Sequence, residues 1–305
     1  MRVTIAPASP KTGAATIRAL LANAPPSLEI HALYRNAANA PAEFMSRANF
    51  RALQGDVTDP STLDLTGSDA VLAITPPAYD SGDPLKFAEI VSKNIKDAIE
   101  RSATVKRLVL LSSGGAQFNH GVGEIRTNNI AETVLAATNV RELVFVRCTF
   151  FMENWTASLE TLQTPEPFFF STITPLDWKV PMVATRDIGL ALAAELIKQP
   201  ESGDSSGPFI FDLHGPQEYS SLDVQAAFSS ALGKKVELRA VERDGLHGYF
   251  AQVFPPAHVD LWVEMSLSFL PGGILAPDKN DYDNKPIVHG RTELLEAIKD
   301  GLAGL

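Results

Sequence analysis

The chain of 305 residues predicts an α/β fold, a doubly wound parallel sheet with a smaller C-terminal α/β part that caps a cleft. Three observations point there. Residues 3–6 are an apolar, β-branched run; a polar turn from Pro7 to Gly13 follows; and from Gly13 the spacing becomes helical, with Ile17, Leu20 and Leu21 on one face. Residues 70–74 and 108–111 are apolar without alternation, as strands covered on both faces must be. Strand-like and helix-like stretches alternate up to about residue 150, and parallel neighbours need such crossovers.

The opening strand, turn and helix have the order of a nucleotide-binding βαβ unit, whose helix start offers unpaired N–H groups to a pyrophosphate. Read as a glycine fingerprint, the three key positions are Pro7, Pro10 and Gly13. Gly13 keeps the role of close helix-to-strand packing. Proline at the other two lacks an N–H and cannot take φ > 0. Pro10 suits a first helical turn, and Lys11 adds a charge that replaces lost donors. After a break at Pro25-Pro26-Ser27, residues 28–35 alternate as a second strand ending in Arg35. No acidic residue stands at that end, and an Arg there accommodates a 2′-phosphate, which favours NADP over NAD.

Residues 50–59 read as a third strand and turn, with Asp56 ready to accept a hydrogen bond. Thr75-Pro76-Pro77 ends the fourth strand abruptly, residues 86–101 are helical, and residues 107–115 form a strand closing on Ser112, Ser113 and two glycines. Polar residues at such strand ends line the crevice of doubly wound sheets. A helix over 128–137 and a strand over 142–147 follow. The aromatic, proline-rich stretch beyond 150 ends the regular alternation.

Further on, the pattern predicts a helix from Thr185 to about Lys198, a flexible loop over 200–208 and a strand over 209–213. A helix capped by Ser221 then runs to Leu232, and a strand covers 236–241. Residues 244–277 fit no regular pattern. We expect a dinucleotide-binding domain over 1–155 and a substrate-binding part over 156–305, interleaved with it.

Lys and Arg number 26 against 36 Asp and Glu, a net charge of −10 without a basic cluster, which argues against nucleic acid or anionic membrane as partner. With one cysteine, Cys148, there is no disulfide framework, and no metal site is expected. The first residues read as a strand rather than a leader, and no apolar run reaches spanning length, so the cytoplasm is the expected compartment. The expected partner is a small-molecule substrate. The sequence does not fix the oligomeric state.

Several features in one order resemble the NmrA-like family of atypical short-chain dehydrogenase/reductases. They are the opening through Gly13, Arg35, residues 54–60, Ile74-Thr75-Pro76-Pro77 and residues 105–113. Arg147 with residues 150–155, and Arg186-Asp187-Ile188-Gly189, complete the set. The resemblance implies a Rossmann-like domain holding NADP(H). The turn Pro7, Ser9, Pro10, Lys11, Thr12 and Gly13 would meet the pyrophosphate and Arg35 the 2′-phosphate. Asp56 and Val57 would meet the adenine, and Thr75, Pro76 and Pro77, with Ser112 nearby, the nicotinamide side. Members of the group have glycines where Pro7 and Pro10 stand. Their usual Tyr-x-x-x-Lys is replaced here by Glu124 and Asn128, while Glu132 is retained. The eroded turn also resembles that of fungal ergot-pathway reductases, which places the chain near secondary-metabolism members.

Reducing a ketone needs a proton for the developing alkoxide, which the missing Tyr would supply. Hydride addition to an activated cation needs none, so an NADPH-dependent reductase of a polycyclic or aromatic metabolite at an activated C=N or C=C bond is the expected function. A redox-neutral cyclase or isomerase on the same scaffold and an NADP-sensing regulator are the alternatives. His120 and Glu124, four apart, are a candidate acid/base pair, and Ser113 a candidate for orienting a substrate oxygen. Phe151, Asn154, Trp155, Tyr249 and Trp262 are candidate pocket residues, and Glu264 a candidate counter-charge for a cationic substrate.

Overall fold

The computed structural model describes residues 1–23, 25, 27–79, 82–199, 207–279 and 285–303. The expected loop over 200–208 therefore lies outside the described residues up to 206, as does Pro26. The described chain runs β1 (Arg2–Ala6), α1 (Lys11–Asn23), β2 (Glu29–Tyr34), α2 (Ala42–Met45), β3 (Phe50–Gln54), β4 (Ala70–Ile74), α3 (Pro84–Ser102), β5 (Arg107–Ser113), α4 (Arg126–Leu135) and β6 (Glu142–Cys148). It continues through β7 (Phe150–Phe151), α5 (Leu159–Leu162), β8 (Phe168–Ser171), β9 (Val180–Val183), α6 (Thr185–Ile197), β10 (Phe209–His214), β11 (Glu218–Tyr219) and α7 (Ser221–Leu232). Last come β12 (Glu237–Ala240), α8 (Leu246–Val253), α9 (Pro256–Ser268), β13 (Ile287–His289) and α10 (Leu294–Ala303).

Eight strands form one sheet in the order β13-β10-β6-β5-β4-β1-β2-β3, and every pairing in it is parallel. The chain thus starts in the middle and winds outward both ways, so the order reverses between β1 and β4. Successive residues of the central strands serve opposite layers. Leu72, Val109 and Val144 pack with Ile17 and Leu20 of α1 and Ile188 and Leu192 of α6. Val71, Leu108, Leu110 and Phe145 pack with Val91 and Ile95 of α3 and Leu135 of α4. Both faces are dry, which is why β4 is apolar at every position and β5 and β6 are apolar through their middles.

Glycines set two of the helix positions. A Cβ on Gly13 would lie 2.7 Å from the Ala8 carbonyl oxygen, and one on Gly189 would lie 2.5 Å from the Ala15 carbonyl carbon. The first seats α1 against the turn after β1; the second lets α6 cross α1 closely. Asp83 caps α3 through the N–H groups of Leu85 and Lys86, with Pro84 at the first helical position.

Beyond β6 the chain leaves the sheet, builds small sheets β11-β9-β7 and β12-β8, and returns to it with β10 and β13. Met152, Trp155, Phe169, Met182, Phe228 and Ile298 form a second core under α7 and α10. Two expectations are corrected here. The cap of α7 is Ser220, not Ser221: Ser220 accepts from the Asp223 N–H and Asp223 reaches back to the Ser220 N–H, a full capping box. Residues 244–277 are mostly helical, as α8 and α9. Their 3.6-residue period is masked because Leu261, Trp262, Val263 and Met265 spread apolar groups over most of α9 and leave only a narrow polar strip at Asp260 and Glu264. Among the described residues no helix is long and apolar enough to cross a membrane.

Candidate functional site

The carboxyl ends of the parallel strands open into two cavities side by side. The first, about 130 Å³, sits where the strand order reverses. Pro7 and Ser9 after β1, Arg35 after β2, Asp56 and Val57 after β3, and Pro76 and Pro77 after β4 line it. The Ala8 N–H donates to the Leu33 carbonyl at 2.8 Å, tying the turn to the end of β2. The turn leads straight into α1, whose first N–H groups have no partner within the helix. Pro10 precedes the helix, and Lys11 is exposed at its first position. Thr12 is buried. Among the described residues neither Arg35 nor Lys11 has a carboxylate partner. Asp56 spends its carboxylate on its own turn, accepting from the Thr58 N–H at 2.9 Å and the Thr58 hydroxyl at 2.8 Å. Val57 is buried, and its carbonyl accepts from Asn94 at 3.0 Å. Thr75 is half-buried and is not among the lining residues.

The second cavity, about 290 Å³, lies beyond the ends of β5 and β6. Phe150, Phe151, Trp262, Phe269 and Leu275 are among its apolar walls, and Ser113, Thr149 and Asn154 are its polar members. No ionisable side chain except the Cys148 thiol lines it, and burial pushes that thiol far above its usual range.

Several sequence expectations are redirected. Ser112 does not face a cofactor: it is buried and donates to Glu132 Oε1 at 2.6 Å. Glu132 in turn holds Arg147, with Nε to Oε1 at 2.9 Å and Nη2 to Oε2 at 2.7 Å. Of the six pocket candidates, Phe151, Asn154 and Trp262 line the second cavity. Trp155 instead donates its indole N–H to Met182 Sδ at 3.4 Å inside the second core. Tyr249 packs on Phe170 and Phe250. Glu264 accepts from the Gly121 N–H at 2.9 Å and pins that loop, which leaves it no place among the lining residues.

His120 does not pair with Glu124. It is exposed, with Nδ1 2.6 Å from Asn119 Oδ1, because the glycines at 121 and 123 hold a loop and a short turn there rather than one helix. Glu124 faces His258 of α9 instead, Oε2 to Nδ1 3.8 Å. His258 is fully buried and lies under the Tyr79 ring, centroids 5.5 Å apart. No sequence spacing announced this pair. The one available hint was His258 itself, a histidine set among mostly apolar residues.

Burial pushes the Glu124 carboxyl up from 4.5 to about 7. The folded protein therefore keeps a proton that the unfolded chain gives up above pH 4.5. Stability from this group is full below pH 4.5 and is lost as pH rises through about 7. We expect wild type to lose roughly 2 kcal/mol relative to Glu124→Gln between pH 4.5 and 8, measured by urea unfolding at both ends. A constant difference would show an ordinary surface carboxylate.

An all-parallel sheet that reverses its order at a glycine-seated helix start defines a Rossmann-type dinucleotide-binding protein. The chain belongs to the NAD(P)H-binding family, whose model matches residues 8–173. It is 29% identical over 226 residues to the NAD(P)H azoreductase of Xenophilus azovorans, covering 70% of this chain and 69% of that protein. Its fold matches Citrobacter sp. triphenylmethane reductase complexed with NADP(H), at a TM-score of 0.71 and 18% identity over 99% of both chains. It also matches the NADPH-dependent quinone oxidoreductase of Escherichia coli, at 0.71 and 21% identity over 98% of this chain and 99% of that one. NmrA, a negative transcriptional regulator, shares the fold over 79% of this chain and 74% of its own, at 0.60 and 18% identity.

Proposed function

We propose that the protein is an NADPH-dependent reductase of small, flat aromatic or polycyclic acceptors activated toward hydride, at C=N, C=C or a quinonoid or azo equivalent. The observation that carries this is the apolar second cavity opening beside the first along one sheet edge, large enough for a two- or three-ring molecule. The residues of the first cavity fit a dinucleotide. The missing Cβ of Gly13 lets the turn after β1 lie against the start of α1, and that helix end is a ready anion site. Pro7 and Pro10 supply no N–H, so Ser9, Lys11 and the N–H groups of Lys11 to Gly13 hold the pyrophosphate. Arg35 would hold the 2′-phosphate, Asp56 and Val57 would meet the adenine, and Pro76 and Pro77 would lie toward the nicotinamide side. When bound, the cofactor supplies a hydride.

The chain's own contribution is orientation and exclusion of water. Phe150, Phe151 and Trp262 give an aromatic acceptor apolar ring surface to pack against, and Ser113, Thr149 and Asn154 offer hydrogen bonds to its polar edge. Reduction of dyes or quinones by the relatives supports an acceptor of this kind.

The test is a fluorescence titration with NADPH, followed by loss of NADPH absorbance on addition of a triarylmethyl dye, an azo dye or a naphthoquinone. Binding with acceptor-dependent consumption is expected. Failure to bind below millimolar, or turnover of an acceptor without consumption, would overturn the reading. The cofactor choice has its own check. Arg35→Ala removes a charged hydrogen bond worth about 1.5–3 kcal/mol, so KM for NADPH should rise about 10- to 100-fold while KM for NADH stays within twofold. An unchanged NADPH preference would remove Arg35 from the 2′-phosphate.

A further inference from the structure

We propose that the acceptor is an electrically neutral ring ketone of the quinone type, and that the Asn154 side-chain amide selects it by donating a hydrogen bond to the oxygen that gains charge. The inference rests on the reductase reading and names the acceptor class of the same cavity. The cation expected from the sequence lacks its counter-charge there, because Glu264 is held by the Gly121 N–H outside the cavity. Among the described lining residues no other carboxylate replaces it. The polar groups that line the cavity belong to Ser113, Cys148, Thr149, Asn154 and the Trp262 indole, all uncharged. A localised charge entering such a wall leaves water without gaining a partner, and a neutral ring does not incur that cost.

One lining side chain has its donors free. The Ser113 hydroxyl donates to the Gly114 carbonyl at 3.2 Å and the Thr149 hydroxyl to the Leu213 carbonyl at 3.3 Å, so each proton already has an acceptor in the protein. The Trp262 indole N–H has no partner but is buried, and a ligand reaches it only by moving the ring. Asn154 is exposed, and its amide makes no hydrogen bond among the described residues. It keeps two N–H donors for whatever enters. Its backbone is held from both sides. Asn154 stands in the turn Met152–Ser158, where Met152 is fully buried and Trp155 donates to Met182 Sδ at 3.4 Å. Glu153, the residue before it, accepts the Thr185 N–H with both carboxylate oxygens at 2.9 Å. A short side chain on so firmly held a turn loses little freedom when it binds.

The acceptor class follows from the charge that hydride carries. A neutral quinone takes two electrons and one hydrogen and becomes the hydroquinone monoanion, whose oxygen needs a donor inside a largely apolar wall. A triarylmethyl cation becomes neutral in the same step and needs none. The step balances as follows: the hydridic C–H bond of NADPH breaks, that hydrogen and its electron pair pass to the quinone, and NADP⁺ is left. The monoanion then takes one proton from water, which reaches the exposed Asn154 end of the cavity. Both Asn154 N–H bonds stay intact, since the amide offsets charge and gives up no proton. Discrimination between the two acceptors is therefore a difference in how much each gains from this one donor.

Two arms separate this inference from the reading beneath it. In the first, calorimetric titration of the cofactor-free protein compares a naphthoquinone with naphthalene, the same two rings without oxygen. Asn154→Leu keeps the size of the side chain and removes its donors. It should weaken naphthoquinone binding about fivefold and leave naphthalene binding as tight as in wild type or tighter. An unchanged naphthoquinone affinity, an equal fall for naphthalene, or no binding of either ring to wild type overturns the assignment without reference to any activity. In the second arm, kcat/KM is compared on the naphthoquinone and on a cationic triarylmethyl dye at saturating NADPH. The quinone-to-dye ratio should fall about 10-fold in Asn154→Leu. It should fall about 100-fold in Asn154→Asp, where a carboxylate of the same shape repels the developing oxyanion and attracts the cation. Because Asn154 is exposed, both variants should unfold at the wild-type urea midpoint. A ratio unmoved in either variant overturns the assignment. Should wild type consume NADPH with neither acceptor, the reductase reading falls, and the binding arm alone judges Asn154.

Discussion

Replacing Glu132 by Ala should cost roughly 3 kcal/mol and lower the melting temperature by roughly 6–10 °C. Glu132 and Arg147 have side chains only 9% and 4% exposed, and the carboxylate meets the guanidinium with both oxygens. Arg147 belongs to β6, between β5 and β10, in register with Ser112 on one side and Asp212 on the other. Without Glu132 the guanidinium loses its fork partner where water cannot replace it, and Ser112 loses its acceptor. Replacing both charges tells the rest. Glu132→Leu combined with Arg147→Met should recover most of the loss, since an apolar pair of similar volume incurs no desolvation penalty. Guanidinium unfolding of the wild type and the two variants measures this. A loss below about 1 kcal/mol for Glu132→Ala would mean that Asp212 already satisfies Arg147.

That network also shows what the sequence made legible and where it stopped. β4 and residues 108–111 of β5 could be placed because burial on both faces keeps those stretches apolar without alternation, as strands of a parallel sheet under two helical layers are. The same parity, taken one step further, would have placed Ser112 correctly. Leu108 and Leu110 face α3 and α4, so Ser112 faces that way too, toward Glu132, whereas Ser113, in step with Val109 and Leu111, turns to the other side. Gly13 was legible because a backbone approach of this kind leaves glycine little competition. The Glu124–His258 pair was not, because local spacing proposed His120 and nothing local could weigh it against a helix more than a hundred residues on. α9 itself was hidden because its polar side is only a narrow strip at Asp260 and Glu264, while the rest packs against the turn at Gly123 and against α8 with its aromatics. The redirected pocket residues follow from this, since which face of α9 meets the cavity depends on that packing.

Gly123 is where the packing can be broken by one methyl group. In Gly123→Ala the new Cβ would stand 1.9 Å from the Leu261 carbonyl oxygen and 2.5 Å from the Met265 nitrogen, on a residue at φ +53°. Left-handed backbone costs a non-glycine residue about 1–2 kcal/mol, and overlap with another helix's backbone adds about 1–3 kcal/mol or forces that helix away. We expect a loss of roughly 3 kcal/mol in urea unfolding, and a withdrawal of α9 that carries His258 and Trp262 with it. Two neighbours separate the contributions. Gly121→Ala, at φ +73° with only Ile274 Cγ2 at 3.9 Å, and Gly272→Ala, at φ +86° with nothing within 4 Å, carry the backbone penalty without the clash. Both should lose only about 1–2 kcal/mol. Withdrawal of α9 has a second signature, because the Glu124 carboxyl is raised only while the helix keeps water away from it. In Gly123→Ala its midpoint should fall back toward the exposed range, and in Gly272→Ala it should not. Equal destabilisation in all three variants, with the Glu124 titration unmoved, would show that the close approach of turn and helix does not build the site.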